Sequence, residues 1–137
     1  YAHTPDALSN VYTTLSKNNN KLLCVLGSAG GGRDKWKRSE MGKIADKYCE
    51  EIFLTNEDPY DEDPESIIQE VAKGITQKKP NIILNRKEAI EVAIKKAGAD
   101  DTVIITGKGA EPLMVLEGGK KIPWDDREVV RNILNGI

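Results

Sequence analysis

The chain has 137 residues, a net charge of −2 and 31% charged residues, enough for one domain with its own core. It has no excess of basic residues to mark a nucleic-acid binder, and no apolar run long enough to cross a bilayer. The two cysteines, Cys24 and Cys49, read as buried thiols in a reducing compartment rather than as a disulfide or a metal site.

Helix and strand patterns alternate along the chain. Thr4 and Pro5 read as the cap and first residue of a helix running to about Lys17, with Leu8, Val11, Tyr12 and Leu15 on one face. Asn18-Asn19-Asn20 ends it, and a strand is expected over 21–27. The next helix is expected over 39–48, with Met41, Ile44 and Ala45 inward, and the second strand over 51–56 around Ile52, Phe53 and Leu54. Asp63-Pro64 is a cap followed by a first-turn proline. That helix should run through Ile67, Ile68 and Val71 to a C′ residue at Gly74. A short strand over 81–84 precedes an Asn85-capped helix carrying Ala89, Ile90, Ala93 and Ile94, closed by Gly98. The apolar run 102–106 reads as a central parallel strand. Gly118-Gly119 between two short apolar segments signals a hairpin. Asp125 caps a last helix carrying Val129, Val130, Ile133 and Leu134, with Trp124 as its hydrophobic staple.

Strands separated by helices require crossovers and hence a parallel sheet. The expected fold is α/β: a Rossmann-like three-layer sandwich, mostly parallel, with a late antiparallel hairpin or edge strand. Ligands of such sheets sit at the carboxyl ends of the strands. The loops there are 27–38, 56–63, 85–86 and 107–112.

The first of these reads Gly27-Ser28-Ala29-Gly30-Gly31-Gly32-Arg33-Asp34-Lys35-Trp36-Lys37-Arg38. A glycine-rich turn before a helix lets backbone N–H groups approach an anion, and Arg33, Lys35, Lys37 and Arg38 add positive charge. It is neither a P-loop nor a dinucleotide fingerprint. Trp36 reads as a loop anchor rather than a stacking platform. The second loop, 56–64, carries five carboxylates and two prolines. Solvation is the default reading of its acids, with Glu57 and Asp58, nearest the strand end, as the candidates for binding an amine. In the last loop, Gly107 and Gly109 flank Lys108, and Glu111 is either an acceptor for a substrate ammonium or part of a charged structural turn. His3, the only histidine, makes a weak catalytic case, and no residue is assigned a catalytic or metal-binding role.

Six segments in order resemble the C-terminal domain of the Mur ligases, specifically the UDP-N-acetylmuramoyl-tripeptide synthetase type. They are Tyr1-Ala2-His3-Thr4-Pro5-Asp6, residues 30–38, Asp58-Pro59 with Glu62-Asp63-Pro64, Arg86-Lys87-Glu88-Ala89-Ile90, Gly107-Lys108-Gly109, and Asp125-Asp126-Arg127-Glu128-Val129. The resemblance implies a fragment of a three-domain cytoplasmic enzyme, in keeping with the missing initial Met. Its partners would be its own N-terminal and central domains, a UDP-N-acetylmuramoyl-peptide and an amino acid. ATP and Mg2+ would be bound mainly by the central domain, whose P-loop is absent from these residues, so the fragment alone should be inactive. Neither nucleic acid nor membrane is expected.

The resemblance further implies that Arg33 clasps the carboxylate of the incoming amino acid. Gly107 and Glu111 would contact its far end, and His3 would lie near the nucleotide. Glu57-Asp58-Pro59-Tyr60 occupies the specificity motif. Family members that add meso-diaminopimelate usually read Asp-Asn-Pro-Arg there, so the arginine for a distal carboxylate is absent. A second carboxylate beside Glu57 and Asp58 would be repelled, which favours lysine, another diamine or a different amino acid. Ala110 replaces a histidine common in the family. The alternatives are a stand-alone anion-binding module and a folate- or cyanophycin-type ligase domain.

Overall fold

The computed structural model describes residues 4–16, 21–28, 35–107 and 113–136. Four parallel strands form one sheet: β1 (Leu22–Leu26), β2 (Glu51–Leu54), β3 (Asn81–Ile82) and β4 (Thr102–Ile105), in the order β3-β2-β1-β4. Five helices join or follow them: α1 (Pro5–Ser16), α2 (Trp36–Tyr48), α3 (Pro64–Ala72), α4 (Arg86–Lys96) and α5 (Asp126–Asn135). Strands β5 (Leu113–Val115) and β6 (Lys121–Pro123) pair antiparallel as a separate hairpin.

Alternation along the strands builds the three layers. Leu22, Cys24 and Leu26 of β1, with Ile52 and Leu54 of β2, face a core closed by α1, α2 and α3. Leu23, Val25 and Phe53 face the opposite core, closed by α4 and α5. The expected apolar faces hold: Leu8, Tyr12, Met41, Ala45, Ile67, Ile68, Val71, Ala89, Ile90 and Ala93 are all buried. Leu134 is the exception and lies exposed on α5.

The expected caps are in place. Asp63 accepts from the Glu65 N–H, Asn85 from the Glu88 N–H and Asp125 from the Arg127 N–H. Trp124 packs in the cluster that contains Val129, as a staple should. Gly74 does follow the end of α3, but its reason is different. A side chain on Gly74 would overlap the Ser39 carbonyl, and one on Gly42 would overlap that of Val71, so the glycines let α2 and α3 approach closely. Asp46 ties α2 to the stretch before β3, accepting N–H bonds from Thr76, Gln77 and Lys78. Burial pushes this carboxyl up, but those donors outweigh it and hold it below the usual carboxylate range.

Three expectations need correction. Strand β4 pairs only with β1 among the described residues and so lies at an edge, not the centre. Its apolar run is still explained, because Ile104 meets one helical layer while Val103 and Ile105 meet the other. Helix α2 starts at Trp36 rather than Ser39, so Lys37 and Arg38 are helical. Cys24 and Cys49 are fully buried as expected, yet they are bonded to each other across 25 residues. The bond joins the middle of β1 to the C-terminal cap of α2. No helix among the described residues is long and apolar enough to cross a membrane.

Candidate functional site

All four strands run the same way, so the loops that leave them share one edge. Short backbone bonds hold that edge together. Thr55 N–H donates to the Leu26 carbonyl at 3.0 Å, Ile83 N–H to Leu54 at 3.0 Å, and Thr106 N–H to Val25 at 3.1 Å.

Glu57 lies on this rim and is only 6% exposed. Two glycines wall it in. A Cβ on Gly27 would overlap the Thr55 carbonyl and reach 3.5 Å from the Glu57 Cβ. Gly107 has φ +103°, and a Cβ there would lie 2.7–2.8 Å from the Glu57 carboxylate. Candidate residues from the loops after β2 and β4 are therefore in contact, with the end of β1 beside them. A carboxylate on a glycine-walled rim offers several acceptor sites to an ammonium or other N–H donor.

Replacing Gly107 by alanine adds both an unfavourable left-handed conformation and the collision with Glu57. The expected loss in urea denaturation is about 2–3 kcal/mol. Gly118→Ala is the control: its φ is +70°, but nothing lies within 4 Å of the added carbon, so strain alone should cost about 1 kcal/mol. Equal losses would mean that Glu57 does not press on Gly107.

Asp58 is half-buried and Pro59 buried. Tyr60 is 43% exposed and holds φ +54°, a left-handed conformation that costs a non-glycine residue about 1 kcal/mol. It forms one wall of an open cleft with Asn56 and Pro59, opposite Leu116, Glu117 and Lys120 of the hairpin. Asp61 latches the hairpin to this loop by accepting the Gly118 N–H at 2.7 Å.

Asp61 and Asp63 are exposed, as the expectation of solvation has it, but the acids of this loop also hold specific partners. Glu62 binds Arg38 through two bonds of 2.7 and 3.0 Å, Asp61 holds the hairpin, and Asp63 caps α3. The reading of the basic loop changes with it. Arg38 is 1% exposed and also binds Glu70 at 2.7 Å, so its charge serves the fold rather than a free anion. Trp36 is 65% exposed, against its reading as a buried anchor, and lines a surface depression with Thr4, Pro5 and Ser39. Arg33, Glu111 and His3, with Lys108 and Ala110, lie outside the described residues.

Two residues at this edge, Arg86 of the loop 85–86 and Asp126, were named in the matching segments but given no role. The Arg86 guanidinium donates to both Asp126 carboxylate oxygens at 2.9 and 2.8 Å, to the Asn56 carbonyl at 3.1 Å and to the Thr106 carbonyl at 3.1 Å. Its neighbours are 20–40 residues away in sequence, so only the three-dimensional fold reveals it. Among the described residues no group of His, Cys, Asp and Glu could hold a metal ion.

Comparison with known proteins agrees with this geometry. The family described as "Mur ligase, glutamate ligase domain" matches residues 1–109. A protein of Aquifex aeolicus named "UDP-N-acetylmuramoyl-L-alanyl-D-glutamate--2,6-diaminopimelate ligase" is 47% identical over 138 residues, covering 99% of this chain and 28% of its own length. The protein of the same name from Nitrosomonas europaea is 43% identical over 150 residues, covering 100% of this chain and 28% of its own. A solved structure of a ligase with this name superposes with a TM-score of 0.91 at 37% identity, covering 99% of this chain and 28% of that one. The chain thus spans little more than a quarter of the length of these relatives. With the sheet, the hairpin and the matched length in agreement, the chain belongs to the Mur ligase family and corresponds to its C-terminal domain.

Proposed function

We propose that this chain is the amino-acid-presenting domain of an ATP-dependent, cytoplasmic amide ligase that extends a UDP-N-acetylmuramoyl-peptide in peptidoglycan precursor synthesis. The observation that carries the reading is the rim where Glu57 lies against Gly107 beside the end of β1. The relatives' names favour this substrate over a folate or cyanophycin precursor.

In the proposed reaction, ATP phosphorylates the carboxylate of the sugar-linked peptide. The amine of the incoming amino acid attacks the acyl phosphate, forming the amide and releasing phosphate. Closure of this domain over its own N-terminal and central domains would bring amine and acyl phosphate together and keep water from the intermediate. Arg33 would clasp the amino acid's carboxylate with two parallel hydrogen bonds. Glu57, Asp58, Pro59, Tyr60, Gly107 and Glu111 would form the pocket for its side chain, and His3 would lie toward the nucleotide. ATP and Mg2+ would be held mainly by the central domain, as the family resemblance implies.

Names of the relatives include 2,6-diaminopimelate. This chain places Glu57 and Asp58 in the motif, with Tyr60 in the position read as arginine in such enzymes, and a distal carboxylate would be repelled there. The experiment is ligation by the full-length protein with UDP-N-acetylmuramoyl-L-alanyl-D-glutamate, ATP and a panel containing diaminopimelate, lysine and ornithine. Phosphate release that depends on an amino acid is expected, with lysine or ornithine ahead of diaminopimelate. Preference for diaminopimelate overturns the specificity; no ligation with any amino acid overturns the function. The 137-residue chain alone should show none.

A further inference from the structure

The loops that carry the candidate site leave separate strands, and one side chain fastens them to each other. Arg86 is 3% exposed and sits at the first turn of α4. One of its nitrogens donates to the carbonyl of Asn56, the residue before Glu57. Another donates to the carbonyl of Thr106, the residue before Gly107. That same nitrogen, together with Nε, grips Asp126, at the start of α5 immediately beyond the hairpin. Asp126 in turn accepts the Trp124 indole N–H at 2.7 Å, which fixes the end of β6.

We propose that Arg86 is the positioning residue of the amino-acid site, setting the distance between the Glu57 and Gly107 loops and tying both to the hairpin through Asp126. The proposal rests on the amino-acid-presenting role argued above. Arg86 needs to touch no substrate to do this. It acts through the two carbonyls, and the planar guanidinium reaches both loops and Asp126 at once, which a lysine ammonium cannot do. Contact between Glu57 and Gly107 is close enough that a small relative shift of their loops changes the pocket, and misplacement by about 1 Å at a site can cost about 100-fold. The remainder of the sheet does not depend on Arg86, because β1 pairs with β2 and β4 through their own backbones.

The test uses the full-length protein with Arg86→Lys, and Asp126→Asn as a second variant should the first fail to fold. Amide hydrogen exchange and steady-state kinetics are both read. Exchange should quicken by about tenfold or more at residues 56–58 and 107 while the amides of β1 keep their protection. The KM for the incoming amino acid should rise about tenfold, with the KM for ATP and for the sugar-linked peptide within about twofold of the parent. A merely structural role predicts otherwise: protection lost evenly across the sheet, or all three KM values and kcat shifting together. Either result overturns the proposal, as does an unchanged amino-acid KM in a ligating enzyme. Should the parent protein ligate no amino acid, the functional reading falls, and exchange alone decides the clamp: localised deprotection upholds it, and unchanged or uniform exchange overturns it.

Discussion

Arg38→Ala will lower the unfolding free energy of the 137-residue chain by about 3–4 kcal/mol. The guanidinium is almost wholly buried and is held by two carboxylates, Glu62 from the acidic loop and Glu70 from α3. Removing it deletes three bonds of 3.0 Å or less and leaves two negative groups side by side. The missing side chain also leaves a void beneath α2, because the arginine stem is buried with its head. Arg38→Lys keeps the charge but not the fork, and should cost about half as much. Urea denaturation with unchanged m values reads both losses. The comparison variant is Lys43→Ala, whose ion pair with Glu40 is exposed on both sides and worth well under 1 kcal/mol. A loss at Arg38 no larger than that at Lys43 would show that the buried ion pairs contribute nothing.

Arg38 also marks the boundary of what the sequence could reveal. Features written within three or four residues were legible. Asp63, Asn85 and Asp125 cap helices by bonds to their near neighbours, and the apolar spacing in α1, α3 and α4 identified their buried faces. The hairpin at Gly118-Gly119 was signalled by the same local chemistry. Partners far apart in sequence were not legible. Arg38 meets Glu62 across 24 residues and Arg86 meets Asp126 across 40, so an arginine in a basic stretch looked like charge for a ligand when it was committed to the fold. The edge position of β4 was hidden for a related reason: two helical layers cover both its faces, and an apolar strand says it is covered without saying how many strands flank it. For the site itself, the convergence of the strand-end loops followed from parallel topology. The contact of Glu57 with Gly107 needed coordinates, because the residues are separated by two helices and two strands.

Reducing the Cys24–Cys49 bond will cost this chain about 3 kcal/mol, the largest covalent contribution to its stability. The two cysteines read as core residues, and they are: both are fully buried. Their bond closes a loop of 25 residues that contains the whole glycine-rich and basic stretch, from Gly27 to Arg38. Cutting it returns conformational freedom to the unfolded chain while the folded core keeps the same side chains, so reduction is a cleaner comparison than substitution by serine or alanine. The sulfurs are shielded, so a thiol reaches the bond only after β1 and the end of α2 separate. Peptide mapping of the alkylated, unreduced chain should recover the Cys24 and Cys49 peptides as one linked species. Unfolding free energies from urea denaturation with and without reductant should then differ by the stated amount, with a larger m for the reduced chain because its unfolded state is less compact. Separate peptides, or equal free energies, would show that the domain stands without the link, and its stability would then rest on the two apolar cores and the Arg38 and Arg86 ion pairs.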